Sequence, residues 1–411
     1  MRILLINKFL FPKGGDAIST LTTGKILQAH GHDVFFWGMT HPDNPHYELE
    51  RYFVSNVDYN NSNGLINKSK QSFNILYSFE AKKKIGHALK KFRPDIVHLN
   101  NFAHQISPSI LDEIKKHKIP IVMTMRDYKM VCPIYSMYVK GVLCEKCSSG
   151  KYYHCIFRRC NKSSLLKSFV NVLEMYLHHT ILHIYDKIDV YISPSQFLKD
   201  KVKEMGLNYE VIHLPNCIDT SKFQPAYEWK DNSIVYFGRL SYEKGIPTLL
   251  NAMKNIPEIR LKIIGDGPLK TELEKIAFVQ HIKNVEFCGY RTGHFLYHDI
   301  KKAMFLIVPS EWYENNPRTV IEAFALGKPV VGSRIGGIPE LVQDWKTGLT
   351  YTCGDKDDLE DKIQQMLKNF EKIPEMGRNA RNYVEEELNS ELYYKRLIDI
   401  YNFALLKCAK N

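Results

Sequence analysis

Short apolar runs alternate with helix-patterned segments along nearly all 411 residues, and the alternation starts twice. The first series runs Ile3–Ile6, Val34–Trp37, Asp95–Leu99, Ile121–Met125, Val190–Ser193 and Val211–Leu214. After Pro215-Asn216 a second series takes over with Ile234–Phe237, Leu261–Ile264, Val285–Phe287, Met304–Val308 and Val330–Val331. Parallel strands need crossover segments between them, so this rhythm predicts doubly wound parallel sheets. The length suits two cores rather than one. The expected fold class is therefore α/β, with two Rossmann-like parallel-sheet domains facing across a cleft. The first is expected over 1–210 and the second over 211–385, with a C-terminal helix over 386–411 packing back on the first. Residues 41–74 have no clear period and read as a long loop region. Ligands of such sheets sit at the carboxyl ends of the strands. Those ends are the Gly14, His98, Arg126, Arg239, Gly265 and Glu314 loops.

The stretch Pro309–Val342 carries the densest signal, with Glu314 just before a predicted helix and Glu322 within it. Pro317 suits a first helical position, where its missing N–H has no partner to lose. Val320, Ile321, Phe324 and Ala325 give the helix an apolar face, and Gly327 with Pro329 stops it. A helix N-terminus offers free N–H groups and positive potential to an anion. Two carboxylates beside it would grip hydroxyls. Phosphate together with a polyol is what a nucleotide-sugar presents.

Charge divides the chain. The net charge is +11, and residues 1–200 hold 27 Lys and Arg against 16 Asp and Glu, so the whole excess lies there. A basic half can meet nucleic acid, anionic lipid or a phosphorylated acceptor, or can be a solvated surface. It lacks the aromatic interleaving of single-strand binders, which makes nucleic acid a poor fit. The pattern from Leu165 to Tyr185 has two readings, a core helix or a basic-flanked membrane-surface helix. No apolar run approaches the ~20 residues of a membrane span, and MRILLINKFL does not read as a secretory signal. A cytoplasmic protein is expected, with peripheral attachment to the inner face of the membrane as its variant. Cys144, Cys147, Cys155 and Cys160 fall in a Cys-rich insertion over 132–160 at zinc-like spacing. A structural zinc, reduced buried thiols and a redox role all stay open.

With these residues in view, the chain resembles the retaining glycosyltransferases of family four, which share the GT-B architecture. Glu314 to Glu322 looks like that family's E-x7-E motif, followed by Ala323 to Val330, Gly336–Gly337 and Pro339-Glu340-Leu341. Phe237-Gly238-Arg239-Leu240 with Glu243-Lys244-Gly245 is similar to its phosphate-gripping segment, and Gly14–Gly15 fits its first glycine loop. The resemblance implies that Arg239 and Lys244 hold the donor diphosphate in place of a metal, so no catalytic metal is required. It implies that Glu322 accepts from the ribose, Glu314 from the donor sugar, and backbone N–H groups near Asn316 and Arg318 complete the phosphate site, with the Gly265 loop alongside. Many relatives have a histidine where this chain has Arg126-Asp127. Arg126 cannot be a base at neutral pH, but it can bind phosphate. Asp127 can bond sugar or acceptor, or cap its loop. Cys217 replaces a usual glycine, and His98 either lines the cleft or sits in the core.

The expected function is transfer of one sugar from a nucleotide-diphosphate sugar, UDP before GDP, to a lipid-linked glycan acceptor with retention, in surface polysaccharide synthesis. Two rivals are an epimerase or hydrolase on the same fold and a non-catalytic sugar- or nucleic-acid-binding module. The intact Glu314–Glu322 pair and the retained Arg239 and Lys244 argue against both.

Overall fold

A computed structural model describes residues 1–56 and 75–410. Residues 57–74 of the expected loop region lie outside the described residues. The first sheet holds β1 (Arg2–Ile6), β2 (Asp33–Trp37), β3 (Ile96–Leu99), β4 (Ile121–Thr124), β7 (Val190–Ser193) and β8 (Val211–His213). Its order is β2-β1-β3-β4-β7-β8, parallel throughout. A small antiparallel ribbon, β5 (Tyr138–Val139) and β6 (Val142–Leu143), interrupts the series. The second sheet holds β9 (Ser233–Phe237), β10 (Arg260–Ile264), β11 (Val285–Gly289), β12 (Leu306–Val308), β13 (Val330–Ser333) and β14 (Gly348–Tyr351). It is also parallel, in the order β11-β10-β9-β12-β13-β14.

Both orders reverse once, between β1 and β3 in the first sheet and between β9 and β12 in the second. A crevice opens at such a switch point because the loops on its two sides turn away from each other. The loops meeting there carry Gly14–Gly15 and Asn100–Asn101 in one half, Arg239 and Glu314 in the other.

Strands buried on both faces explain the near-continuous apolar runs. Leu4 and Ile6 pack into a core with Ala81, Ile85 and Leu89 of the helix Phe79–Phe92. Ile3 and Leu5 face the opposite layer, where Leu397, Tyr401 and Ala404 of the helix Ser390–Lys410 lie. Thus the final helix covers the first sheet, and β8 closes that same sheet. In the second half Ile234 and Tyr236 face one core while Val235 and Phe237 face another, which holds the helix Arg318–Ala325. The chain passes between halves at 214–218 and returns beside that crossing, where Ile218 N–H donates to Leu388 O at 3.0 Å.

The pattern from Leu165 to Tyr185 is not one helix. It is an α-helix over Leu165–Met175, a wider π-turn over Tyr176–Ile181 and a short 3-10 turn over Ile184–Lys187. Nor is it a core helix: Leu166, Phe169, Leu173 and Ile181 are exposed. Among the described residues no helix is long and apolar enough to cross a membrane.

His98 lies in the core, not along the cleft. Its Nδ1 meets Tyr401 OH and its Nε2 meets Thr124 Oγ1, both at 2.7 Å. Burial, then the charge of Arg126, pushes its imidazole down to about 3. Burial also lowers His178 to about 4 and His179 to about 3. In the unfolded chain these rings take up protons near 6.5. The unfolded state therefore binds more protons across that window. Stability is complete above about pH 6.5 and is lost as pH falls toward 3, by up to about 1.4 kcal/mol per pH unit for each ring. Denaturation at stepped pH should show this slope, and His98→Gln should flatten it by about 1.4 kcal/mol per pH unit.

Candidate active site

The loop after β12 is held from below by glycines that admit no side chain. A Cβ on Gly245, at φ +63, would fall 1.8 Å from Pro309 O, and one on Gly336, at φ +58, would fall 2.2 Å from Glu314 O. Gly337 N–H donates to Glu314 O at 2.8 Å, and its own Cβ would sit 1.8 Å from Asn315 O. These contacts fix Glu314 in one place. Pro317 stands one residue ahead of the first helical residue, in extended conformation, and the helix runs Arg318–Ala325.

Glu314 is buried, and its Oε1 accepts from Lys244 Nζ at 2.6 Å and from Ser310 Oγ at 2.7 Å. Burial pushes the carboxyl up, but the charge and hydrogen bond of Lys244, with that of Ser310, outweigh it and hold the group below its ordinary value. Lys244 comes from a 3-10 turn, Tyr242–Lys244, drawn to this loop by a bond from Glu311 N–H to Glu243 O at 2.9 Å. Arg239 is exposed beside it, and its guanidinium takes no hydrogen bond or ion pair among the described residues. Gly265 shapes that neighbourhood rather than presenting a side chain: at φ +154 its Cβ would lie 1.9 Å from Gly238 O. Within the helix, Glu322 is only 3.5 Å from Arg318, and burial pushes its carboxyl up against that arginine's pull. Arg318 Nε is buried without a partner.

The first half meets this wall closely. A Cβ on Gly15, the first residue of the helix Gly15–Ala29, would be 3.7 Å from Arg318 Cδ. Gly14 is extended, at φ −172. Arg126 was expected to face phosphate, yet each of its nitrogens donates to a protein amide. Nε and one terminal nitrogen reach Asn100 Oδ1 at 3.0 and 2.8 Å, and the other reaches Asn216 Oδ1 at 2.8 Å. Asn216 in turn donates from N–H to Asn316 Oδ1 at 3.0 Å and from Nδ2 to Asn316 O at 3.2 Å. Arg126 is thus a strut between the two halves, and burial lowers its pKa. Asp127 accepts from Lys129 N–H at 2.9 Å, an Asx turn that caps its own loop, with burial pushing its carboxyl up. Cys217 is buried, and its thiol is pushed up to about 12.

Several residues in this arrangement carry no signal in the sequence. Asn315 donates to Met125 O at 3.2 Å and accepts from Ser195 Oγ at 2.8 Å. Tyr313 OH donates to Glu145, which also holds Lys201 at 2.8 Å. Glu340 accepts from Gln196 N–H at 2.9 Å and Phe197 N–H at 2.6 Å, capping a helix of the other half. Asn315 and Glu340 stood within recognised motifs, and nothing there gave them these roles.

The four expected zinc ligands do converge, with Cys132, on one cavity of about 10 Å³. All are free thiols, and among the described residues no three His, Cys, Asp or Glu side chains are arranged to hold a metal ion. Burial pushes the Cys147 thiol up to about 12, and Cys155 is raised first by the hydrogen bond it donates to Cys160 and then by burial. Cys147 and Cys155 pack as small hydrophobes with Tyr152, Val172 and Met175.

Two doubly wound sheets with their switch-point loops pressed together form the GT-B architecture. The description "Glycosyltransferase Family 4" matches residues 13–222, just over half the chain, and "Glycosyl transferases group 1" matches 218–383. The chain belongs to glycosyltransferase family 4. It is 27% identical over 361 residues to an uncharacterized 42.6 kDa protein in the cps region of Klebsiella pneumoniae, covering 83% of this chain and 87% of that one. Sucrose-phosphate synthase from Thermosynechococcus elongatus shares the fold at TM-score 0.74 and 20% identity, covering 98% of each chain. HepE of Anabaena, solved in complex with UDP, superposes at TM-score 0.66 and 15% identity over 98% of this chain and 100% of that one.

Gly336→Ala should destabilise the protein by about 1–3 kcal/mol in chemical denaturation. Gly31→Ala, at φ +78 but in open space, should cost less, because only the backbone term applies there. Chelator treatment is expected to leave the Tm unmoved. A fall would reveal a metal at Cys144 and Cys147.

Proposed function

We propose that the protein transfers a sugar from a nucleotide-diphosphate sugar, with UDP as the nucleotide, to a lipid-linked glycan acceptor in cell-surface polysaccharide synthesis, at the cytoplasmic face. The observation that carries this reading is the Lys244–Glu314 pair, 2.6 Å apart at the second sheet's switch point, on the wall whose Arg318 meets Gly15 of the other half. A lysine and a carboxylate so placed can part, one to a phosphate and one to a sugar hydroxyl. Arg239, exposed and uncommitted, adds the second positive charge. Arg318 and the free N–H groups of its helix N-terminus add donors.

In this reaction Arg239 and Lys244 neutralise the charge that grows on the departing diphosphate, the role a metal plays elsewhere. Glu314, held ionised, accepts from hydroxyls of the donor sugar, and Glu322 from the ribose. The Gly265 contact keeps the loop carrying Arg239 in register. Asn316 spends its side-chain and backbone oxygens on the bridge to Asn216, which leaves its backbone N–H for phosphate. Family membership supports retention, through a front-face step in which the departing phosphate takes the acceptor proton, with no carboxylate nucleophile. Arg126 acts as a positioning residue through Asn216, and Asp127 shapes the loop beside the acceptor. The UDP complex of HepE supports the choice of nucleotide. The Klebsiella relative in a cps region supports a surface glycan, of the capsule or lipopolysaccharide kind.

Incubation with a panel of nucleotide-sugars is expected to show one UDP-sugar consumed, with UDP released. Glu314→Gln should lower turnover by about 10²–10³ while UDP affinity stays within about threefold. Arg239→Ala should instead weaken UDP by about tenfold or more. Equal losses of turnover and UDP affinity in Glu314→Gln would remove the sugar-binding role.

A further inference from the structure

The helix Leu165–Met175 turns three polar side chains inward and four large apolar ones outward. Its inward side buries Ser168, Asn171 and Glu174 beside Val172 and Met175. Ser168 donates to Ser164 O at 2.8 Å, Asn171 donates to Pro133 O at 2.8 Å, and Glu174 holds Lys129 at 2.8 Å. Facing outward are Leu165, Leu166, Phe169 and Leu173, between 41% and 72% exposed. At 100° per residue these four fall within about a quarter turn of one another. Phe157 and Ile181, 79% and 66% exposed, stand at either end of the same segment. Folding alone does not put three polar side chains inside and six large apolar ones in water; such a stripe marks a surface that something apolar covers.

The charge around it has one sign. Residues 146–185 contain six Lys and Arg, with Glu174 as the single acid, and Glu174 is spent on Lys129. A second copy of this chain would bring like charges together. An apolar stripe set among cations matches a bilayer with anionic headgroups, whose acyl boundary takes the side chains while phosphates meet the cations.

We propose that the segment 151–182 docks this protein on an anionic lipid surface, with Phe157, Leu165, Leu166, Phe169 and Leu173 entering the headgroup–acyl boundary. The cysteine cluster gives the element its rigidity, since Cys147 and Cys155 pack against Val172 and Met175 on the helix's inner side. The same insertion reaches the cleft, where Glu145 accepts from Tyr313 OH. Docking and site are joined through a few side chains.

The test is co-sedimentation of the full chain with vesicles of phosphatidylcholine alone and of phosphatidylcholine with phosphatidylglycerol in equal parts. Binding is expected only with phosphatidylglycerol, weakening as salt rises from about 0.1 to about 0.5 M. Leu166→Ser with Phe169→Ser should lower partitioning by about tenfold or more, while the Tm and the shift in Tm given by UDP stay unchanged. Arg159→Ser with Lys162→Ser should remove the preference for phosphatidylglycerol. Absence of vesicle binding, or binding that neither pair alters, overturns the proposal. A concentration-dependent dimer dissolved by the Leu166 and Phe169 changes would assign the stripe to a second copy instead. The inference rests on this surface and not on the transfer reaction: vesicle binding without nucleotide-sugar turnover would sink the proposed function and leave the docking intact.

Discussion

Four consecutive residues, Tyr313 to Asn316, hold the molecule together at its centre. Glu314 points into its own half, to Lys244 and Ser310. Its neighbours point the other way, Tyr313 to Glu145, Asn315 to Ser195 and Met125, and Asn316 to Asn216. A carboxylate in the middle of such a loop is expensive to bury alone, and the lysine across from it offsets that cost. The pair therefore has a structural role as well as a chemical one. Removing the charge of Lys244 would leave Glu314 buried and unpaired, and the loop that bridges the halves would lose its fixed point.

The glycines below this loop serve the same end. Gly245 and Gly336 approach Pro309 O and Glu314 O so closely that the loop has no room to settle. A polypeptide that sends one side chain into its own half and three to the other needs a rigid floor, and backbone packed on backbone supplies one. The sheet order does the rest, since the reversal between β9 and β12 is where two such loops can splay and leave a crevice.

Much of this was legible in the sequence because it is local. Strand–turn–helix alternation follows from neighbouring residues, as do the spacing of Glu314 and Glu322 and the glycine pair at 336–337. Partnerships over long separations were not. Arg126 reads as a phosphate ligand until Asn100 and Asn216 are seen beside it. His98 sits at a strand end that points to the cleft, yet its partner Tyr401 comes from the last helix, 303 positions away. The helix at 165–175 exposes a subtler limit. Periodicity separates an apolar face from a polar one but does not say which side is inward, and Ser168, Asn171 and Glu174 found buried partners that spacing could not reveal. The cysteine spacing did better: it foretold that the sulfurs converge, and they line one small cavity.

The carboxylate of Glu340 receives the first two free N–H groups of the helix Gln196–Glu204, which belongs to the opposite half. Helices ordinarily carry their own cap, and this one, besides Ser195, borrows another from across the crevice. Parting the halves would strip that cap and return two amide groups to water, at a cost of about 1 kcal/mol. The association of the halves is thus favoured by a contact that touches neither phosphate nor sugar. Glu340 joins Tyr313, Asn315 and Asn316 in tying the two halves together, at a distance from the chemistry.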